Sequence, residues 1–304
     1  MKSSPTPADV WQRDFLREQR LPDSYLDTAR VYFDPLATQL AELAATRPQT
    51  LVIGVNGAQG SGKTTLSAYL CKALAARYGL HVMAMSLDDF YLRRDERAAL
   101  ATRVHPLCMT RGVPGTHDVP LLEATLDRLC GDDPAAVAVP SFDKSIDDRA
   151  PEDAWPRCTP PLDAVLIEGW CLGAMSETDE ELAVPCNALE RDEDAAGRWR
   201  RFSNRQLATH YEPFYERIDY WVMLAAPSFE DVLAWRQEQE DKLREAVGGR
   251  GEGLMTASQL QRFVAHFERH TRNCLRQLPD RVDVLYQLDA DRRLVASRGV
   301  ELAQ

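Results

Sequence analysis

The stretch that decides the fold is VIGVNGAQGSGKTTLSAYL, at residues 52–70. Within it, Gly57, Gly62, Lys63 and Thr64 satisfy the pattern GxxxxGK[ST] at every fixed position. An apolar run precedes the pattern and a helical pattern follows it, which is the strand–loop–helix context of a phosphate-binding loop. The alternative, an ordinary glycine turn, does not explain why a lysine and a threonine follow the last glycine.

The loop predicts how a nucleotide would bind. Glycines let backbone N–H groups curl around a phosphate, and the N-terminus of the following helix adds a partial charge of about +0.5. We expect Lys63 to reach the β and γ oxygens and the Thr64 hydroxyl to bind Mg²⁺. The residues expected to contact ATP are Gly57, Ala58, Gln59, Gly60, Ser61, Gly62, Lys63, Thr64 and Thr65.

Composition narrows the class of protein. The chain has 304 residues, 44% of them hydrophobic, and a formal net charge of −11, which argues against a nucleic-acid partner. No apolar run approaches the roughly 20 residues that span a bilayer, and the N-terminus lacks the apolar core of a signal peptide. The seven cysteines form no CxxC pair, a pattern typical of reduced cytoplasmic thiols. We therefore expect a cytoplasmic protein with no membrane partner; the sequence does not fix its oligomeric state.

Apolar runs and helical stretches alternate from residue 51 onward. The runs are LVIGVNG, HVMAMSL, AVAVPSF, AVLIEGW, YWVMLAA and VDVLYQL. Near-continuous apolar strands separated by helices predict a mostly parallel, five-stranded core sheet between helices. Together with the phosphate-binding loop, this predicts an α/β P-loop NTPase fold. Residues 1–50 are expected to be an N-terminal helical extension, in which Asp34 is the N-cap of a helix and Pro35 its first residue. Residues 51–304 are expected to be a P-loop kinase domain with C-terminal lid helices. Residues 173–201, which contain the acidic run SETDEE, are expected to form a long surface excursion.

Acidic residues follow two of these strands. Asp88 and Asp89 come after the second run, and Glu168 comes at the end of AVLIEGW. Because ligands bind at the carboxyl edge of such sheets, Asp88 would orient or deprotonate an attacking hydroxyl and Glu168 would help to hold Mg²⁺. The alternatives are a polar turn for the aspartates and a helix cap for the glutamate.

Four short segments carry a more specific resemblance: SLDDFYL, RGVPGTHDV, PSFDKS and IEGWCLG. Together they resemble the glycerate 3-kinase family, within the group of uridine kinase, phosphoribulokinase and pantothenate kinase. The resemblance implies transfer of the ATP γ-phosphate to the 3-hydroxyl of D-glycerate. It also implies that Asp88 faces the acceptor hydroxyl and that Glu168 lies on the magnesium side. Asp89 and Tyr91, in the same DDFY segment, join the expected substrate contacts.

A site for a small carboxylate substrate requires a fixed cation and side chains that hydrogen-bond to the hydroxyl groups. In RGVPGTHD, Arg111 could grip the carboxylate with two parallel hydrogen bonds, while His117 and Asp118 could read hydroxyls. The alternative for this segment is a surface turn. The segment PSFDKS adds Asp143 and Lys144 at the end of the expected third strand. Lys144 either balances substrate charge or is simply solvated.

The C-terminal helices provide the expected lid. AWRQEQEDKLREA precedes the glycine-rich joint GGRGEG, and Arg236 is expected to reach the transferring phosphoryl group. The alternative is a solvated helix face. His266 and His270 have the spacing of a metal pair, but HFERH is not HExxH, and we expect both to lie on the surface.

Two other functions stay open. One is a kinase of another small alcohol, such as a nucleoside or pantothenate; a nucleoside site would need stacking aromatic side chains, whereas Arg111 and Lys144 favour a small anion. The other is a non-catalytic nucleotide-binding regulator, which would have no need of Asp88 on the acceptor side.

Overall fold

The structure is a computed structural model that describes residues 7–246 and 255–301. The glycine-rich joint at 248–253 lies outside the described residues. The strands are β1 (Leu51–Gly57), β2 (Val82–Ser86), β3 (Val137–Ala138), β4 (Phe142–Asp143), β5 (Asp148–Arg149), β6 (Arg157–Cys158), β7 (Ala164–Gly169), β8 (Tyr220–Ala225), β9 (Val284–Leu288) and β10 (Leu294–Arg298). The helices are α1 (Pro7–Gln19), α2 (Tyr25–Thr28), α3 (Asp34–Ala45), α4 (Lys63–Tyr78), α5 (Arg94–Arg103), α6 (Val119–Leu129), α7 (Asp179–Ala183), α8 (Ala188–Glu193), α9 (Arg198–Gln206), α10 (Glu212–Tyr215), α11 (Phe229–Ala246), α12 (Ala257–Ala265) and α13 (Glu268–Gln277).

The central sheet has the strand order β10-β9-β8-β1-β7-β2. Every neighbouring pair is parallel except β9 with β10, so the predicted mostly parallel sheet is confirmed. All seven residues of β1 are buried, as expected for a strand covered on both faces. Because β1 lies between β7 and β8, the loop after β1 emerges at the middle of the carboxyl edge, where such sheets bind ligands.

Two strand predictions were incomplete. The run AVAVPSF is not a strand of the central sheet: only Val137–Ala138 is extended, and it pairs with β6 in a separate two-stranded sheet. Pro140, two residues after Ala138, has no N–H to continue a ladder. β10 was not predicted from the sequence, because this edge strand is largely exposed and lacks an apolar run.

Helices cover both faces of the sheet. On one face, α1 and α3 pack with α4, so that Phe15, Leu36 and Tyr69 share a hydrophobic core with Leu166 of β7. Asp34, which was predicted to be the N-cap, is instead the first residue of α3, and Phe33 occupies the cap position without a side-chain hydrogen bond. On the other face, α6, α10 and α13 cover β7 and β8 with a second core. No helix in the described ranges has the length and hydrophobicity needed to cross a bilayer.

Residues 173–201 do not form a surface excursion, so that prediction was wrong. The segment contains α7, α8 and the start of α9, and buries Leu182, Leu189 and Trp199. Its acidic residues are tied to α13: Arg269 Nη1 lies 2.9 Å from Glu177, and Arg269 Nη2 lies 2.6 Å from Glu190. These acidic residues form a packed network of ion pairs because the basic helix α13 lies against them.

The prediction for His266 and His270 was also wrong, because both side chains are buried. His266 Nδ1 lies 2.9 Å from the Arg262 carbonyl oxygen, and His270 Nε2 lies 2.9 Å from Ser203 Oγ. Burial lowers the pKa of His270 to about 4, so the ring is neutral at physiological pH. His266 lies in the turn between α12 and α13, and His270 lies within α13.

Candidate active site

The phosphate-binding loop leaves β1 and enters α4 at Lys63. Two glycines are required by its geometry. Gly62, which caps α4, has φ 91°, a left-handed conformation that glycine adopts without strain. At Gly57, an added Cβ would collide with the Ser61 Oγ, so the loop can tighten only around a residue without a side chain. The loop therefore folds as the pattern GxxxxGK[ST] predicts.

Two cavities meet at this loop. Lys63 and Thr64 line a cavity of about 510 Å³ at the carboxyl edge of the sheet, which we call the front cavity. Gly62 and Thr65 line another of about 700 Å³, the rear cavity. Gln59 faces the front cavity, Ser61 the rear one and Gly60 both. The loop thus borders one cavity on each of its two sides.

The front cavity contains a set of oxygen atoms suited to a hard divalent cation. The Thr64 hydroxyl donates a hydrogen bond of 2.9 Å to Glu168 Oε1. Lys63 Nζ lies 3.8 Å from Glu168 Oε2, and that oxygen is buried without a hydrogen-bond donor among the described residues. A buried carboxylate oxygen lacking a donor, beside a hydroxyl, fits Mg²⁺ and its bound water.

Asp88 lies on a 3₁₀ turn directly after β2 and faces the same cavity. The Tyr91 hydroxyl donates to Asp88 Oδ1 at 2.7 Å, and Lys144 Nζ donates to Oδ2 at 2.9 Å. Burial alone would raise the pKa of Asp88, but the positive charges of Lys144 and Lys63 and the hydrogen bonds outweigh it and lower the pKa below its ordinary value. Asp88 is therefore an ionised hydrogen-bond acceptor.

Asp89 has the opposite electrostatics. Burial, together with the negative charges of Asp88 and Glu168, raises its pKa to about 6, although the Phe142 N–H donates to it at 3.0 Å. The pKa values of two adjacent carboxyl groups are thus shifted in opposite directions, and perturbed pKa values are frequent at functional sites.

One side of the front cavity carries basic side chains. Arg111 and Lys144 line it together with Asp88 and Tyr91. The guanidinium of Arg111 pairs with Asp147 and lies 5.4 Å from the centre of the Phe142 ring. Lys144 is paired with Asp88 rather than simply solvated, although its side chain is 60% exposed.

Three predicted substrate residues are not among those lining the front cavity. His117 lies behind Tyr91, buried, with Nδ1 2.7 Å from the Tyr211 hydroxyl; burial lowers its pKa to about 4. Asp118 caps α6 through Leu121 N–H and pairs with Arg149 at 2.8 Å. Asp143 is exposed and binds Ser145 within its own turn. A loop sequence does not specify which of its side chains point inward.

Arg236 lines the front cavity from α11. The helix lies directly over the phosphate-binding loop, since a Cβ on Gly60 would come within 3.3 Å of Trp235 and Gln239. Trp235 is buried and donates to the Ala290 carbonyl oxygen at 2.6 Å. Arg236 Nη2 lies 3.4 Å from Glu240 on the next turn. The first half of α11 is thus anchored, and it holds Arg236 beside the loop.

Sequence reasoning missed an aromatic wall and one carboxylate. Trp170, Phe263 and Phe267 line the front cavity, and Asp147 holds Arg111 behind it. Trp170 lies only two residues after the predicted Glu168, so the sequence already placed it near the site. The phenylalanines lie about 200 residues after the loop, and only the tertiary fold brings them there.

The rear cavity is closed by parts of the chain far from the loop in sequence. Tyr25 and Thr28 of the N-terminal extension form one wall, and Arg292 and Leu294 around the β9–β10 turn form another. Arg292 pairs with Glu238 and lies 5.8 Å from the Trp235 ring, which ties this turn to α11. α11 therefore lines the front cavity itself and contacts Arg292, which lines the rear one.

Comparisons with known proteins show which chains this one resembles. No model of a known protein family matches the chain. It is 30% identical over 255 residues to "Uncharacterized kinase mug58" of Schizosaccharomyces pombe, covering 80% of this chain and 87% of that protein. It is 29% identical over 228 residues to "D-glycerate 3-kinase, chloroplastic" of Arabidopsis thaliana, covering 71% of this chain and 46% of that protein. Among solved structures, a D-glycerate 3-kinase from Cryptococcus neoformans superposes with a TM-score of 0.68 at 26% identity, covering 86% of this chain and 98% of that one.

Proposed function

The chain belongs to the glycerate 3-kinase family of P-loop kinases, and from that premise we propose that it phosphorylates the 3-hydroxyl of D-glycerate with ATP, giving 3-phosphoglycerate and ADP. One observation carries the proposal. The front cavity contains groups for both partners of the transfer: Lys63 and Thr64 for the donor, and Asp88 and Arg111 for the acceptor.

ATP would lie across the phosphate-binding loop. Its β- and γ-phosphates would face Lys63 in the front cavity, and its nucleoside would extend past Thr65 into the rear cavity. Tyr25 and Arg292 would then border the nucleoside, which gives the N-terminal extension a part in ATP binding.

Thr64 and Glu168 are the residues that would hold Mg²⁺, and the ion when bound would neutralise charge on the β- and γ-phosphates. Lys63 adds a second positive charge at the same phosphates. Arg236, which projects from α11 into the front cavity, would stabilise the charge that spreads over the transferring phosphoryl group.

The acceptor would bind in the front cavity, on the side opposite the γ-phosphate of ATP. Its carboxylate would pair with Arg111, and its 3-hydroxyl would donate a hydrogen bond to Asp88 in place of the one from Lys144. Since the pKa of Asp88 is low, this carboxylate first orients the hydroxyl and takes its proton only as the bond to phosphorus forms. Lys144, released from Asp88, would remain beside the anionic substrate.

A ring-bearing acceptor such as a nucleoside is the second candidate, because Trp170, Phe263 and Phe267 line the front cavity. A stacked base requires an open aromatic face. Trp170 and Phe267 instead pack edge to face at 5.0 Å, and Phe263 packs against Phe267 at 5.0 Å. Because these rings pack against one another, they favour a nucleoside less than Arg111 and Lys144 favour a small carboxylate.

The test is ADP release from Mg·ATP with a panel of acceptors: D-glycerate, L-glycerate, glycerol, uridine and pantothenate. We expect D-glycerate to give the highest kcat/KM. A rate with D-glycerate no higher than the acceptor-free rate would refute the substrate assignment, and preferred turnover of uridine would establish the second candidate. A Lys63→Ala variant is the control that excludes a contaminating kinase.

A further inference from the structure

Asp147 lies in the turn between β4 and β5, between two arginines from different parts of the chain. Its Oδ2 is 2.9 Å from Arg97 Nη2 of α5, and its Oδ1 pairs with Arg111 Nη1. Asp147 therefore has one carboxylate oxygen for each guanidinium. The residue has no part in the family motifs or in the mechanism above.

The two arginines differ in environment. Arg97 is 1% exposed, whereas the side chain of Arg111 is 25% exposed and lines the front cavity. Arg97 also donates to the carbonyl oxygens of Leu92 and Met109, at 3.2 and 2.8 Å. A buried guanidinium requires a carboxylate partner, and Asp147 supplies it.

This arrangement leaves a net positive charge. Two guanidinium groups share one carboxylate, so the three side chains together carry a charge of about +1. Arg97 balances Asp147 from the interior, and the uncompensated charge remains on the side of Arg111 that faces the cavity. An isolated Arg111–Asp147 pair would instead have presented no net charge to an anionic acceptor.

The backbone of Asp147 is fixed as well. Its φ is 55°, a left-handed conformation that aspartate and asparagine tolerate better than most residues. Arg97 Nη2 also donates to its carbonyl oxygen, at 2.6 Å. On the other side, the Phe142 ring lies under the Arg111 guanidinium. The guanidinium of Arg111 is thus held from two directions before any substrate binds.

We propose that Asp147 is a positioning residue: anchored by Arg97, it holds the guanidinium of Arg111 in the orientation that receives the carboxylate of the acceptor, and so selects anionic acceptors. The proposal rests on the proposed function, since it assumes an acceptor with a carboxylate. Asp147 itself touches neither phosphate nor the reacting hydroxyl, and acts only through Arg111.

The test compares Asp147→Asn with the wild-type protein. Asparagine suits the same backbone conformation, so the variant removes the charge and keeps the turn. We expect the KM for D-glycerate to rise about tenfold or more, with kcat at saturation and the KM for ATP changing less than about threefold. Asp153→Asn, at an exposed residue of the 3₁₀ turn that follows β5, is the matched control and should leave all three unchanged.

The opposite results would overturn the proposal. A KM for D-glycerate within twofold of wild type would show that Arg111 needs no partner, and a lower KM would show that Asp147 competes with the substrate. Equal losses in kcat and in both KM values would indicate a purely structural role.

If wild-type protein gives no turnover with D-glycerate, the proposed function fails, and calorimetric titration of D-glycerate into the protein with ADP decides the inference separately. Weaker binding by Asp147→Asn would support it. Absence of binding to wild type, or equal binding by both, would overturn it.

Discussion

At the scale of single residues, the site depends on how neighbouring carboxyl groups are made to differ. Asp88 and Asp89 are adjacent in the chain, yet Lys144 and Tyr91 donate hydrogen bonds to Asp88, whereas Asp89 accepts one from the Phe142 N–H. The pKa of Asp88 is consequently lowered while that of Asp89 is raised to about 6. Because their pKa values differ, we expect replacement of Asp88 to affect catalysis and replacement of Asp89 to affect stability.

Replacing Asp88 by asparagine should lower kcat by about 10² to 10⁴. The amide keeps the shape of the side chain but cannot accept the proton of the acceptor hydroxyl. Steady-state kinetics with the preferred acceptor measures the effect, and the KM for ATP should stay near its wild-type value. A kcat unchanged from wild type would remove Asp88 from the mechanism.

Replacing Asp89 by asparagine should stabilise the protein near neutral pH. Because the folded pKa of about 6 exceeds the unfolded value of 3.8, folding favours the protonated acid. That contribution is fully present below about pH 4 and is lost as the pH rises through 6. Asp89→Asn should therefore unfold like wild type at pH 4 and gain up to about 3 kcal/mol at pH 8.

Urea unfolding at several pH values measures this difference, with Asp153→Asn as the control for loss of an exposed charge. A gain independent of pH, or one largest at pH 4, would contradict the raised pKa of Asp89.

How far the sequence predicts such residues depends on where their partners lie. The phosphate-binding loop was predictable because its geometry comes from one contiguous stretch, and Glu168 because it follows a recognisable strand. Asp147 was not, since its role requires Arg97 and Arg111 to converge on one turn. His117 was expected to face the substrate but lies behind Tyr91, because its inward direction is set by Tyr211.

At the scale of elements, α11 is the one whose placement matters most for the transfer. The sequence predicted a helix here with Arg236 toward the nucleotide, and the structure places that residue in the front cavity. The sequence did not predict that Trp235 would anchor the helix to the β9–β10 turn. Amphipathic spacing specifies that a helix has a buried face, not which distant turn covers it.

Replacing Arg236 by alanine should lower kcat by about 10² or more while changing the KM for ATP only about threefold. The reason is that charge on the transferring phosphoryl group is greatest in the transition state. Arg244→Ala, on the same helix and paired with Asp241, is the matched control. An equal loss in kcat and in affinity for ATP would indicate that Arg236 only binds nucleotide.

At the scale of the whole molecule, the N-terminal helices and the phosphate-binding helix share one hydrophobic core. Leu36 of α3 is fully buried with Tyr69 of α4, and Tyr69 contacts Phe15, Tyr25 and Phe33. The sequence predicted these N-terminal helices, but it could not say what they would pack against. Such packing couples the extension to α4, at whose N-terminus the phosphates would bind.

Leu36→Ala should therefore destabilise the entire protein by about 2–5 kcal/mol. Chemical unfolding should remain a single transition in which tryptophan fluorescence and kinase activity are lost together. Val31→Ala, at a residue 37% exposed, is the control and should cost far less. Two separate transitions, with activity surviving the first, would show that residues 1–50 form an independent unit.

The most direct measurement of the proposed activity is ³¹P NMR of the product formed from D-glycerate and Mg·ATP. Phosphate on the 3-hydroxyl is attached to a CH₂ group, so its proton-coupled signal should be a triplet that grows as ADP accumulates. A doublet would place the phosphate on the 2-hydroxyl, and ADP formation without any phosphomonoester of glycerate would contradict transfer to this acceptor.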